Sequence, residues 1–410
     1  MLDAQSMNSN QPIYLDYHAT TPVDPRVIEA MLPYFDNRFG NAASRSHSYG
    51  WQASEAVELA RRQVASLLHV NPEDLFFTSG ATEGLNTLIK GMVDSTRKRG
   101  NQIVTIATEH HAVLDVFQWL GTKGYDNIII PVDAEGNVNL EKFNQSVNRD
   151  TILVSAMWAN NETGVIHDIA RMASICKEKE VPFICDATQA VGKIDINPKE
   201  AGVDMMVCSA HKFYGPKGIG IMYINSALKV KPSALIQGGG HEEGFRSGTL
   251  NVPAIVGMGE AAKICIAEMK SDMVRIEKLR DDFEKQLLEE LELVTINGKE
   301  SKRLSTVSNV CLQLTESQAV MTKFRSKLAI SSGSACSSAN PEPSHVLLAM
   351  GLSEDEAKSS YRFSFGRPIT ENEVNEATQL FINAINEYRS QSPLWEMYKN
   401  GMDISIPGRR

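Results

Sequence analysis

Seven apolar runs follow one another between residues 75 and 224: 75–78, 102–107, 127–132, 151–157, 181–185, 205–208 and 219–224. Each has the length of a buried strand, and helical spacing fills several of the gaps, the first from Ala81 to about Met92. This alternation is the strongest constraint on the fold. It predicts an α/β architecture with a mostly parallel sheet and helices on both faces. In open sheets of this kind ligands collect beyond the carboxyl ends of the strands. The residues directly after each run are therefore where chemistry is sought.

After 75–78 comes Ser79-Gly80-Ala81-Thr82-Glu83. A helix start there offers free amides and a positive dipole end, which suit a phosphate, and equally reads as an ordinary Ser/Thr cap. His110, after 102–107, can stack on an aromatic ligand ring, with His111 beside it as a competitor. Asn160-Asn161-Glu162-Thr163-Gly164 follows 151–157 and reads as an Asn-rich turn or a set of amides for a ring hydroxyl or carboxylate. Asp186 ends 181–185, where it serves as a helix cap or pairs with a protonated pyridine nitrogen, the partner that pyridoxal phosphate needs as an electron sink. Gln189 stands three residues on, near enough for the ring oxygen. After 205–208 comes Ser209-Ala210-His211-Lys212, opening S-A-H-K-F-Y-G-P-K-G-I-G. A lysine held off the surface has a lowered pKa and forms a Schiff base with a carbonyl. Each signal is weak alone. Their order along one sheet, with Asp186 one strand–helix–strand unit before Lys212, turns Lys212 from a surface turn into a cofactor anchor.

The flanks are different. A short strand is expected at 12–16, then the polar loop Tyr17-His18-Ala19-Thr20-Thr21-Pro22, and helices at 25–34 and 49–68. After about residue 265 the pattern becomes that of a smaller α+β unit. It opens with a long amphipathic helix marked by Met273, Ile276, Leu279, Phe283, Leu287 and Leu291. With 50 acidic against 41 basic residues the net charge is −9, which gives no general attraction to nucleic acid or an anionic membrane. No apolar run reaches the length of a membrane span, and residues 1–11 lack the basic and apolar regions of a secretory signal, so a cytoplasmic protein is expected. None of the six cysteines forms a C-x-x-C pair. Cys176, Cys185, Cys208, Cys265 and Cys311 lie in apolar surroundings and read as buried hydrophobes. Cys336 stands apart in I-S-S-G-S-A-C-S-S-A-N, a small and polar stretch expected to be exposed and mobile.

The motifs T-S-G-A-T-E, T-E-H, N-N-E-T-G, D-A-T-Q, S-A-H-K-F-Y-G-P-K-G-I-G, G-G-G-H-E-E-G-F-R-S-G-T and S-S-G-S-A-C together resemble the fold-type I pyridoxal-phosphate enzymes, and more closely the cysteine desulfurases of the IscS/NifS group. The resemblance runs from Y-L-D-Y-H-A-T-T-P to S-P-L-W-E-M-Y-K. It implies a large domain (22–265) with a mostly parallel seven-stranded sheet, a small α+β domain (12–21 and 266–410) and a flexible lead (1–11). It also implies pyridoxal 5'-phosphate as cofactor, held by Lys212. Ala81, Thr82, Ser209 and His211 would bind its phosphate, with Thr249 reaching the phosphate of the other subunit in a homodimer. His110 would stack on the ring, Asp186 would pair with its nitrogen and Gln189 would meet its oxygen, while Asn161 and Arg362 hold the carboxylate of L-cysteine.

Cys336 would attack the substrate sulfur, giving alanine and an enzyme persulfide that is passed to an acceptor for iron–sulfur cluster assembly or tRNA thiolation. No resident metal is implied, although Cys336 could touch an iron–sulfur cluster transiently. DNA phosphorothioate modification is an alternative destination for the sulfur, and selenocysteine cleavage or transamination an alternative reaction. A cofactor-free interaction protein is disfavoured by the Lys212, Asp186 and His110 set. Two departures from the group's pattern are the tail N-G-M-D-I-S-I-P-G-R-R and the acidic Glu243 after Glu242, where a basic residue is common.

Overall fold

The computed structural model describes residues 11–96, 99–332 and 342–402. A two-residue strand, β1 (Ile13–Tyr14), comes first. Seven strands then form the main sheet: β2 (Leu75–Thr78), β3 (Gln102–Ile106), β4 (Asp126–Ile130), β5 (Thr151–Met157), β6 (Phe183–Asp186), β7 (Met205–Ser209) and β8 (Gly220–Ile224). Their order is β2-β8-β7-β6-β5-β3-β4. Pairs from β7 through β4 are parallel, and β8 alone runs against its neighbours. The seven expected strands are thus all present. Small shifts at their ends have local causes. Pro131 has no N–H for the ladder, so β4 stops at Ile130, and β6 begins only after Pro182.

Strand periodicity splits the sheet's side chains between two cores. Met206 and Cys208 of β7 face the helix Ser48–Leu68 and the start of the helix Val252–Glu290. Met205 and Val207 face the helices Ala81–Thr96 and His111–Gly121. The central strands β5, β6 and β7 are buried along their whole length, which is why they read as continuous apolar runs rather than alternating ones.

The second sheet comprises β9 (Val294–Ile296), β10 (Val307–Leu312), β12 (Ser331–Ser332) and β13 (Ser360–Ser364), antiparallel in the order β12-β13-β10-β9. β11 (Leu328–Ala329) pairs in parallel with β1, and Asp16 bridges to Ser364. Leu15 and Tyr17 accordingly share a third core with Phe283, Phe363 and Phe381.

The sequence pattern places a change near residue 265, but no element ends there. One helix of 39 residues, Val252–Glu290, runs through it. Its first part is apolar nearly all round: Ile255, Met258 and Cys265 join the main-sheet core, so no amphipathic stripe announces it. Ile276, Leu279, Phe283 and Leu287 of the same helix belong to the small-sheet core. Elsewhere the helix expected at 25–34 ends at Met31 and tightens into a 3₁₀ turn, Leu32–Tyr34, around Pro33. Among the described residues, no helix is long and apolar enough to cross a membrane.

Candidate active site

Strand ends of the main sheet meet Arg362 of β13 around a cavity of about 350 Å³. β7 ends in Ser209, and a 3₁₀ turn, Ala210–Lys212, carries His211 and Lys212 to the cavity wall. Ala81 and Thr82 enter from the start of the helix after β2, and His110 caps the helix after β3. Asn161 arrives from β5, Asp186 and Gln189 from β6. Ten of the twelve expected site residues therefore line one cavity. Thr249 is exposed and does not line it. Cys336 lies outside the described residues. His111, the competitor of His110, points elsewhere: it is exposed, with its ring 4.8 Å from that of His345. Cys176, Cys185, Cys208, Cys265 and Cys311 are buried as expected.

The wall at Ala81 is a close approach of backbones. The Ala81 amide donates to Ser209 Oγ at 2.7 Å, which ties the helix start to the end of β7. A Cβ on Gly220 would sit 2.5 Å from the Cys208 carbonyl oxygen and 2.7 Å from Gly80 Cα, so only glycine lets these segments meet. Gly84, one turn into the helix, plays the same part against β7: a Cβ there would lie 2.8 Å from Val207 Cγ1.

Lys212 Nζ donates to the carbonyls of His18 at 2.5 Å and Ala19 at 2.8 Å. Burial, aided by the Arg362 charge, lowers its pKa to about 8 against the pull of Asp16 and Asp186. A useful share of the amine is therefore neutral, and nucleophilic, near neutral pH. His211, whose Nδ1 lies 3.1 Å from Thr20 Oγ1, is pushed down to about 4, chiefly by burial and then by Lys212. It is a neutral ring at ordinary pH.

Several residues that shape the site were not singled out from sequence. His18 is fully enclosed between the Asn161 carbonyl (3.1 Å) and Thr306 Oγ1 (2.8 Å), and burial holds its pKa well below the usual range. Asp16 accepts from Arg362 Nη2 at 2.8 Å, and Ser331 Oγ binds both partners, at 2.8 Å and 3.0 Å. Glu109 is buried beside Asp186, its Oε1 taking the Met157 amide at 2.5 Å, and burial raises its pKa well above the carboxylate range. Lys193 sits behind Gln189. Thr188 had a local signal, since it lies in D-A-T-Q. Asp16 had none beyond a strand end, and His18 none beyond a polar loop.

The donor set fits pyridoxal phosphate. The helix start at Ala81 and Thr82, with Ser209 and His211, suits a phosphate, and Asp186 suits a protonated ring nitrogen. Two polar atoms at the site, Thr188 Oγ1 and Arg362 Nε, are buried without a protein partner. Buried polar atoms rarely stay unsatisfied, which marks this as a place that receives polar atoms from a ligand.

The aminotransferase class-V family matches residues 13–376, most of the chain. The chain belongs to this family. Aminotransferase class-V proteins and the cysteine desulfurases among them depend on pyridoxal phosphate. The chain is 48% identical over 394 residues to the cysteine desulfurase IscS of Anaeromyxobacter dehalogenans, covering 96% of this chain and 97% of that one. It is 46% identical to the IscS of a Neisseria meningitidis serogroup C strain, over 97% of this chain and 98% of the other. Among solved structures, one titled a NifS-like protein superposes with a TM-score of 0.85 at 35% identity, covering 92% of this chain and all of that one. The fold-type I architecture that the motif resemblance implied is the architecture of these class-V relatives.

Proposed function

We propose that this chain is a cysteine desulfurase, which removes sulfur from L-cysteine to give L-alanine and a persulfide on Cys336. The observation that carries the reading is one cavity holding an amine of lowered pKa (Lys212), an acid (Asp186), a ring (His110) and a guanidinium (Arg362), in a chain similar along nearly its whole length to IscS proteins. The cofactor, when bound, supplies an electrophilic carbonyl and an electron sink.

The chain's own residues do the rest. Lys212 offers its amine to the cofactor and then moves protons at the substrate carbon. Ala81, Thr82, Ser209 and His211 hold the phosphate, and His110, Asp186 and Gln189 hold the ring. Arg362 presents a planar fork to the substrate carboxylate, with Asn161 beside it. The Cys336 thiolate bonds to the substrate sulfur and the carbon–sulfur bond breaks. The carbon keeps the electron pair and takes a proton, which makes the methyl group of alanine.

The ends of the Cys336 segment favour this role. On one side Ser331 accepts from Arg362, and on the other His345 Nε2 lies 2.8 Å from the Glu109 carbonyl, next to His110. The described residues on either side of Cys336 thus contact Arg362 and the backbone beside His110, and both Arg362 and His110 line the cavity. The exposed Thr249 favours a homodimer in which it completes the partner's phosphate site. So do the exposed Phe39 and Tyr49, whose ring centroids are 5.3 Å apart. Residues 22–265 form the large domain in this reading, and 12–21 with 266–410 the small one, joined through the long helix. The sulfur goes to a cytoplasmic acceptor for iron–sulfur cluster assembly or tRNA thiolation.

The test mixes the pyridoxal-phosphate-loaded enzyme with L-cysteine and measures alanine together with persulfide mapped by mass spectrometry. Equimolar first-turnover alanine and Cys336 persulfide are expected. Full sulfur release by Cys336→Ala would overturn the persulfide route.

A further inference from the structure

Lys193 is a second buried lysine at the site, and the reaction as described does not use it. It lies on the turn after β6 and is 7% exposed. Its Nζ donates to Gln189 Oε1 at 3.2 Å and to the Lys212 carbonyl at 3.4 Å. The charged or titratable groups that face it are Lys212 and His211 on the turn after β7, His18 on the N-terminal loop and Cys265 on the long helix. No carboxylate among the described residues pairs with it. An ammonium buried without a counter-charge opposes folding, because desolvation is not repaid by an ion pair. Burial, then the nearby Lys212 charge, lowers its pKa to about 7. A group kept in such a place marks a functional site.

The hydrogen bonds show what it can do. In its charged form Lys193 has three donors and no acceptor, so it demands the oxygen of the Gln189 amide. The Gln189 nitrogen then faces the other way, donating to the His18 carbonyl at 3.0 Å. A flipped amide would set NH₂ against the ammonium and oxygen against a carbonyl, two repulsive contacts in place of two bonds. With the oxygen committed to Lys193, only the NH₂ side remains to meet a ligand. An anionic ring oxygen accepts and cannot donate, so this is the side it requires. The second bond of Lys193, to the Lys212 carbonyl, ties the backbone of the anchoring lysine to the same fixed point.

We propose that Lys193 is a positioning residue for the cofactor: it locks the Gln189 amide with its NH₂ toward the ring oxygen and holds the backbone of Lys212 in register with it. The proposal rests on the reading that Gln189 meets the ring oxygen. When the cofactor is bound, its anionic oxygen provides, across the Gln189 amide, the negative charge that the protein itself does not supply to Lys193.

The experiment compares wild type, Lys193→Met, Gln189→Ala and the double variant. Three quantities are read: the thermal midpoint of the apoprotein, the dissociation constant of pyridoxal phosphate, and the pH midpoint of the bound cofactor's visible absorbance. Methionine keeps the length and removes the buried charge. Lys193→Met is therefore expected to raise the apoprotein's thermal midpoint, to weaken cofactor binding about tenfold, the size of one charge-assisted hydrogen bond, and to shift the absorbance midpoint. Gln189→Ala is expected to weaken binding comparably, and the double variant no further, because Lys193 acts through Gln189.

A Lys193→Met protein with lowered thermal stability, or one that does not fold, would make the ammonium a structural requirement and overturn the proposal. So would unchanged binding and absorbance in Lys193→Met while Gln189→Ala alters both. If Gln189→Ala itself leaves binding and absorbance unchanged, the underlying reading of Gln189 fails instead. Lys193→Gln, a polar variant free to present either face of its amide, is expected to fold and to show an intermediate loss.

Discussion

The two walls of the cavity are built in different ways. One consists of strand ends of the main sheet: Ser209 closes β7 and Asp186 closes β6, with Lys212 and Gln189 three residues beyond them. The other is the edge of the small sheet, where Arg362 of β13 meets Asp16 and Ser331, the first of them 346 residues away in sequence. On the first wall, position follows from local backbone. On the second it follows from register between distant segments. The first wall therefore tolerates little change at its glycines and strand ends, whereas the second depends on a network that can be loosened by degrees.

Variants that cut each wall separately sharpen this contrast. The largest effect is expected on the strand-end wall. Lys212→Ala removes the amine that, in the proposed function, binds the cofactor and moves protons, and turnover is expected to fall by roughly 10²–10⁴-fold with loss of the bound cofactor's visible absorbance. Next comes Arg362→Lys, which keeps the charge and loses the fork. The KM for L-cysteine is expected to rise about tenfold in steady-state assays, with cofactor content unchanged. Gly84→Ala crowds Val207 and pushes the phosphate-side helix off β7. A loss of about 1–3 kcal/mol in denaturant unfolding is expected, together with weaker cofactor binding. Asp16→Asn frees the Arg362 guanidinium only partly, because Ser331 still binds it, and a change in KM of a few-fold is expected. An equal loss from Asp16→Asn and Arg362→Lys would show that the second wall is as rigid as the first.

The smallest effect concerns the protein without cofactor. Burial lowers Lys212 to about 8 and Lys193 to about 7, both from 10.5. Between these values and 10.5 the unfolded chain binds more protons than the folded one, so stability contributed by these groups rises with pH. Apoprotein melting curves are expected to shift upward from about pH 7 to 9, and Lys193→Met is expected to flatten the lower part of that rise.

The difference between the walls also explains what the sequence could show. All seven strands of the main sheet were legible, and ten of the twelve expected site residues fall around one cavity, because a strand end fixes which residues face the crevice beyond it. Arg362 was named through the family resemblance, but its partner Asp16 was not, since no local pattern links residues on two ends of a chain. His18 was hidden by a loop that reads as merely polar. Lys193 and Glu109 were hidden for another reason: their roles come from burial, and a charged residue in sequence reads as surface. The long helix was half seen, because amphipathic spacing appears only where one face meets water.

That helix has a mechanical consequence. At 1.5 Å per residue its 39 residues make a rod of about 58 Å. Val252 to Cys265 are clamped by one core and Ile276 to Leu287 by the other. Neither core can open without stripping a surface from a rod that the other still grips. Melting of the two is therefore coupled, and heat is expected to take the chain apart in a single cooperative transition, with the span between Lys212 and Arg362 held until it does.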